Sequence, residues 1–155
     1  ERSDCMAQKK PASPEKELLS EIYRNLQMGS ENLGSVVSLI DDPHLLREVT
    51  AQLESYAEHS AQTVEQMREH MVRPQKGSLM KTMMARGGIA MNTMFDSSDR
   101  HIVKMIARGT RMGADSLEKT VCRMQRYGCE PEVAKFGCRV VQFERTEAAR
   151  IEAFL

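Results

Sequence analysis

The chain has 155 residues, enough for one domain with a real core but not for two comfortable ones. Lysine plus arginine balances aspartate plus glutamate at 22 each, which gives no electrostatic reason to expect nucleic acid or an anionic membrane as the main partner. Tryptophan is absent, aromatics are 5% of the chain, and no apolar run approaches the ~20 residues of a membrane span.

The opening "ERSDCMAQKKPASPEKE" has no apolar segment of signal-peptide type, and Pro11 and Pro14 among polar neighbours predict a disordered tail over residues 1–16. A single domain is expected over 17–155. Its first helix is predicted from about Glu17 to Ile40, where Leu19, Ile22, Leu26, Gly29, Leu33, Val36 and Ile40 recur in alternating steps of 3 and 4. In "DDP", Asp42 is a cap and Pro43 a first helical residue. The second helix then carries Leu46, Val49, Leu53, Tyr56, Ser60, Thr63 and Met67 to about Val72, and "RPQKGS" breaks it.

A shorter helix follows over Met80–Met94. Its methionines at 80, 83, 84, 91 and 94 fall on one stripe at 100° per residue. Thioethers can bind Cu(I), but no histidine or cysteine lies among these, so the stripe reads as packing or interface surface. Asp96 to Ser98 offers the next cap. The third long helix runs to about Tyr127 with Ile102, Met105, Ile106, Gly109, Met112, Gly113, Ser116, Leu117 and Met124 as its expected inner face. Gly128 ends it and Pro131 opens a last helix through Val133, Phe136, Val140, Phe143, Glu147, Ile151 and Phe154. Cys5, Cys122, Cys129 and Cys138 show neither a CxxC pair nor zinc-ligand spacing, which suits reduced thiols in a cytoplasmic protein.

Four long amphipathic helices and a short one make an all-α bundle. A helix of ~30 residues is about 45 Å long, and a simple up-down-up-down bundle needs only a short loop between its second and third helices. Residues 73–97 are far more than that. They predict a crossover, carrying a short helix, between second and third helices that point the same way.

That layout resembles the ferritin-like superfamily. The stretches "IYRNLQMG", "MNTMFDSSDRHI", "GTRMG" and "RIEAFL" are similar to those of a group of small bacterial proteins within it whose function is not established. The resemblance covers Glu17 to Leu155 and implies a ferritin-like four-helix bundle. Di-iron members of the superfamily hold their metals with a glutamate on each of two helices and a Glu-x-x-His pair on each of the others. This chain departs from the pattern. Tyr56, Met67 and Ser98 stand three residues before His59, His70 and His101, and Asp41 precedes His44 at a helix start.

A degenerate carboxylate site is the alternative. Counted from a common end, Glu31, Glu54, Glu144 and Glu147 fall in adjacent layers, with His101 one to two turns away, and such a set would take Fe, Mn or Zn weakly. The plainer reading pairs Glu147 with Arg108 or Arg111 of the basic stripe Arg100, Lys104, Arg108 and Arg111. It makes His101 a structural residue. It also leaves Glu54, Glu58, Glu65 and Glu69 as a solvated face or as partners for that stripe. Gly109 and Gly113 form a small-xxx-small pair, and an inward Tyr56 is expected to fill their space with its hydroxyl on a group such as Glu147.

The chain offers no Ser/His/Asp order, phosphate-cradling glycine loop or His-Glu-x-x-His. The expectation is a non-enzymatic scaffold or interaction protein without a required cofactor. It would form a homo-oligomer, or bind a protein partner, through the Met80–Met94 helix, with no nucleic acid and no membrane. The alternative is a metal-binding or redox bundle.

Overall fold

The computed structural model describes residues 10–75 and 96–155, and four long helices account for most of them. Helix α1 spans Pro14–Val36 and opens three residues before the expected start. The Ser13 side chain accepts from the Lys16 amide at 3.3 Å, Pro14 takes the first helical position, and Glu15 and Glu17 face the positive end of the helix. The expected apolar stripe is buried at Leu19, Ile22, Leu26, Leu33, Val36 and Ile40. A 3-10 turn, Val37–Leu39, closes the helix.

Helix α2 (Pro43–Glu69) starts as expected, with the Asp42 carboxylate accepting from the His44 amide at 2.9 Å. It stops before Val72 because Met71 takes a left-handed backbone, φ 57°, which no helix continues through. Helix α3 (Asp99–Arg126) is capped by Ser98 and ended by Gly128 at φ 85°, a conformation that favours glycine. Helix α4 (Pro131–Glu152) follows. The expected short helix over Met80–Met94, Cys5 and the first nine residues lie outside the described residues.

Polar contacts at the two ends of the bundle fix the helix directions. Arg123 in the last turn of α3 meets Glu17 in the first turn of α1 at 2.8 Å, so those two helices are antiparallel. At the other end the Asp99 carboxylate accepts from the Asp41 and Asp42 amides at 2.9 and 2.7 Å, placing the starts of α2 and α3 together. His70, just past α2, reaches Glu130 just before α4 at 3.3 Å. Helices α2 and α3 therefore run the same way, and Glu69 and Asp99 stand at opposite ends. Helix α1 packs on α2 and α3, and α4 packs on the same two, which sets α2 and α3 on opposite corners of a four-helix bundle. Among the described residues no helix is long and apolar enough to cross a membrane.

The core runs the length of the bundle through Leu18, Ile22, Leu26, Val49, Ile102, Val140 and Ile151, all fully buried or nearly so. Helix α3 lies rotated from its expected setting. Gly109, Met112 and Ser116 are exposed, while Val103, Ala107, Ala114 and Val121 are buried beside Ile102, Ile106, Leu117 and Met124. With both α1 and α4 to cover, α3 buries a face wider than a heptad seam, and 3.6-residue spacing carries that face through Ala107 and Ala114. Phe154, expected on the inner face of the last helix, stands 37% exposed just beyond α4.

Candidate functional site

Besides Thr63, whose hydroxyl donates to the His59 carbonyl of its own helix, the buried polar side chains among the described residues gather near mid-bundle, in a layer to which all four helices contribute. Its centre is Glu144 of α4, 1% exposed. Asn25 of α1 donates from Nδ2 to Glu144 Oε2 at 2.7 Å, and Tyr56 of α2 donates its hydroxyl to Oε1 at 3.2 Å. Thr110 of α3 stands beside the Tyr56 hydroxyl. No ion pair of Glu144 with a cation occurs among the described residues; its partners are neutral donors.

Two glycines shape this layer. A Cβ at Gly29 would lie 2.8 Å from Tyr56 Cζ, so the tyrosine ring lies directly over the α1 backbone there. A Cβ at Gly113 would lie 2.8 Å from Asn25 Oδ1, so that glycine admits the asparagine. Gly109 has nothing within 4 Å and admits nothing. The space that Tyr56 needs is thus made by Gly29, not by the expected Gly109 and Gly113 pair, and its hydroxyl meets Glu144 rather than Glu147. The Tyr56 ring stands edge-on to Phe143, with centroids 5.0 Å apart, and His59 stacks on Phe143 at 3.9 Å.

Glu147 lies one turn along α4, 3% exposed. Its cation is Arg150 of its own helix at 3.2 Å, not Arg108 or Arg111; Arg111 instead grips Glu152 at 2.6 and 2.7 Å. Arg150 is largely in solvent, so the Glu147 carboxylate sits at the rim of the core. Gln52 of α2, 1% exposed, donates to the Glu147 carbonyl at 3.1 Å and to Glu48 at the same distance.

Burial governs the titration of this layer. It lifts the Glu144 carboxyl to about 7, against the opposing pull of the Asn25 and Tyr56 donors. The Tyr56 phenol is raised by burial first and by the neighbouring Glu144 charge second. Glu147 is raised by burial, with Arg150 pulling the other way.

Of the five residues expected to form a carboxylate site, two share this interior and three do not. Glu144 and Glu147 face inward from α4. Glu31 and Glu54 are exposed, because each stands two residues, about 200°, from buried positions of its own helix: Leu33 for one, Gln52 and Tyr56 for the other. His101 lies in the first turn of α3, its Nδ1 3.9 Å from Asp96 Oδ2 and its Nε2 buried without a hydrogen-bond partner among the described residues. Among the described residues no group of three or more His, Cys, Asp or Glu side chains is arranged to hold a metal ion. Asn25 and Gln52 went unanticipated as interior residues. The available signal was spacing, since Asn25 is four residues before Gly29 and Gln52 four before Tyr56. No family model matches this chain, and comparison with curated proteins and with solved structures found no match.

Proposed function

We propose that the chain is a non-enzymatic helical bundle of ferritin-like layout that serves as a scaffold, its inner carboxylates holding helices together rather than holding metal. The observation that carries this reading is the occupancy of Glu144: Asn25 takes one oxygen and Tyr56 the other, and the donors come from two different helices. A carboxylate used in this way ties α1 and α2 to α4, with one donor from the protein on each of its oxygens. The common direction of α2 and α3 supports the ferritin-like layout, because that arrangement needs a long connection between them.

A metal-binding bundle is the competing reading, and what favours it is that Glu144 and Glu147 are both turned into the interior at i, i+3 spacing. Elemental analysis of chelator-treated protein re-equilibrated with Fe(II), Mn(II) or Zn(II) separates the two. The scaffold reading expects no stoichiometric retention by the wild type. One ion or more per chain, lost in Glu144→Gln, contradicts it and installs the metal reading.

A further inference from the structure

A pair of acids on one helix and a pair of cations on another are held apart by the topology of this protein. On α2, Glu54 stands two residues from both Gln52 and Tyr56, and Glu58 two residues beyond Tyr56, so both point directly away from the core. Ala51, Ala57 and Ala61 lie around them on the exposed side, giving a low surface between the acids. On α3, Lys104 stands two residues from Ile102 and Ile106, and Arg108 two beyond Ile106, so these cations are likewise thrown outward. They flank an open depression between α3 and the end of α4, lined also by Ala107, Met112 and Leu155 and by two acids that already have cations of their own, Glu152 on Arg111 and Asp115 on Arg145. Met112 is 62% and Leu155 50% exposed, so the depression carries apolar surface beside its cations.

Neither Glu54 and Glu58 nor Lys104 and Arg108 find ion-pair partners on their own chain among the described residues, although the neighbouring Arg111 and Arg145 do. The reason is placement. Helices α2 and α3 occupy opposite corners, so the acidic face cannot reach the basic one within a single molecule. Both pairs have i, i+4 spacing, about 6 Å along the helix, so the two charge pairs are in register with each other. The geometry points to a second copy of this chain as the occupant: the outer face of α2, led by Glu54 and Glu58, seats in the α3–α4 depression of the next copy, against Lys104 and Arg108. Met112 then packs among the alanines of the incoming helix, where small side chains permit close approach. This rests on the scaffold reading above and names the surface through which the scaffold assembles. Because the two faces lie on different sides of one bundle, the contact is head-to-tail, and each copy uses α2 toward one neighbour and α3 toward the other.

The test is sedimentation of three proteins at low and high salt: the wild type, Glu54→Lys with Glu58→Lys, and Lys104→Glu with Arg108→Glu. The wild type is expected to associate beyond the monomer at up to about 100 µM in about 20 mM salt, and to dissociate in about 0.5 M salt, where exposed charges are screened. Each reversal variant is expected to associate at least tenfold more weakly, since both of its faces then carry one sign. Mixed in equal amounts the two variants should associate again, because each now offers a face complementary to the other's. That recovery also shows that both variants are folded. A wild type that stays monomeric throughout overturns the proposal. So do oligomers insensitive to both reversals, which leave an assembling scaffold but move its interface elsewhere, and so does a mixture that fails to associate.

Discussion

At the level of single residues, Glu144 ties the stability of this bundle to pH. Its carboxyl titrates near 7 in the folded protein and near the ordinary 4.5 once the chain unfolds. Between those values the folded state keeps a proton that the unfolded state has released. The stability linked to this group is therefore complete below pH 4.5 and is lost as pH rises through 7, by about 3 kcal/mol in all. Tyr56 supplies one of the two donors that oppose this loss. Tyr56→Phe keeps the ring against Phe143 and Gly29 but strips the hydroxyl from a buried carboxylate. It should cost about 1–3 kcal/mol in urea unfolding, with the larger cost above pH 7 where Glu144 is ionised. A cost that does not grow with pH counts against the Tyr56–Glu144 bond. Gly29→Ala tests the same layer from the α1 side. The new methyl meets the rigid ring of Tyr56, and a loss of about 1–3 kcal/mol is expected.

At the level of elements, the two glycines of α3 should behave oppositely. Gly109 is exposed with open space around its Cβ direction, so Gly109→Ala should raise stability by up to about 1 kcal/mol through helix propensity alone. Gly113→Ala gains the same propensity but pushes Asn25 away from Glu144, and should destabilise. Thermal unfolding of both variants checks this; equal shifts would show that Asn25 does not depend on the room at Gly113. Helix boundaries were the most legible part of the fold. Asp42, Pro43, Ser98, Gly128 and Pro131 act through local backbone chemistry, and each stands where its spacing in the chain placed it. The face of α3 was less legible, because a seven-residue seam assumes one neighbour and this helix has two.

At the level of the whole molecule, the direction of α2 and α3 could be read from the number of residues between them, since that is a question of chain length alone. The contents of the mid-bundle layer could not. Which glycine admits Tyr56, and which carboxylate its hydroxyl reaches, depend on the rotation of four helices about their axes. An error of one residue, 100°, reassigns every partner. Hence Glu147 was expected on the inner face of α4 with Glu144 one turn earlier on a neighbouring face, whereas Glu31 and Glu54, two residues from buried positions of their own helices, were not separable from them by depth along the bundle. The same topology leaves the acids of α2 and the cations of α3 apart on the surface.

The central claim is that Glu144 is a structural carboxyl, bound by neutral donors and protonated readily. Unfolding free energy measured from pH 4.5 to 8.5 for the wild type and for Glu144→Gln tests it most directly. Glutamine keeps the shape, and with the Asn25 amide turned over it can both accept from Tyr56 and donate to Asn25. Glu147 and His70, whose acid–base equilibria are also raised, remain in both proteins and drop out of the difference. The account predicts that the variant overtakes the wild type as pH rises and is more stable by about 3 kcal/mol above pH 7, with little advantage near pH 4.5. A variant less stable than the wild type at pH 8, or a difference that does not change with pH, would contradict it.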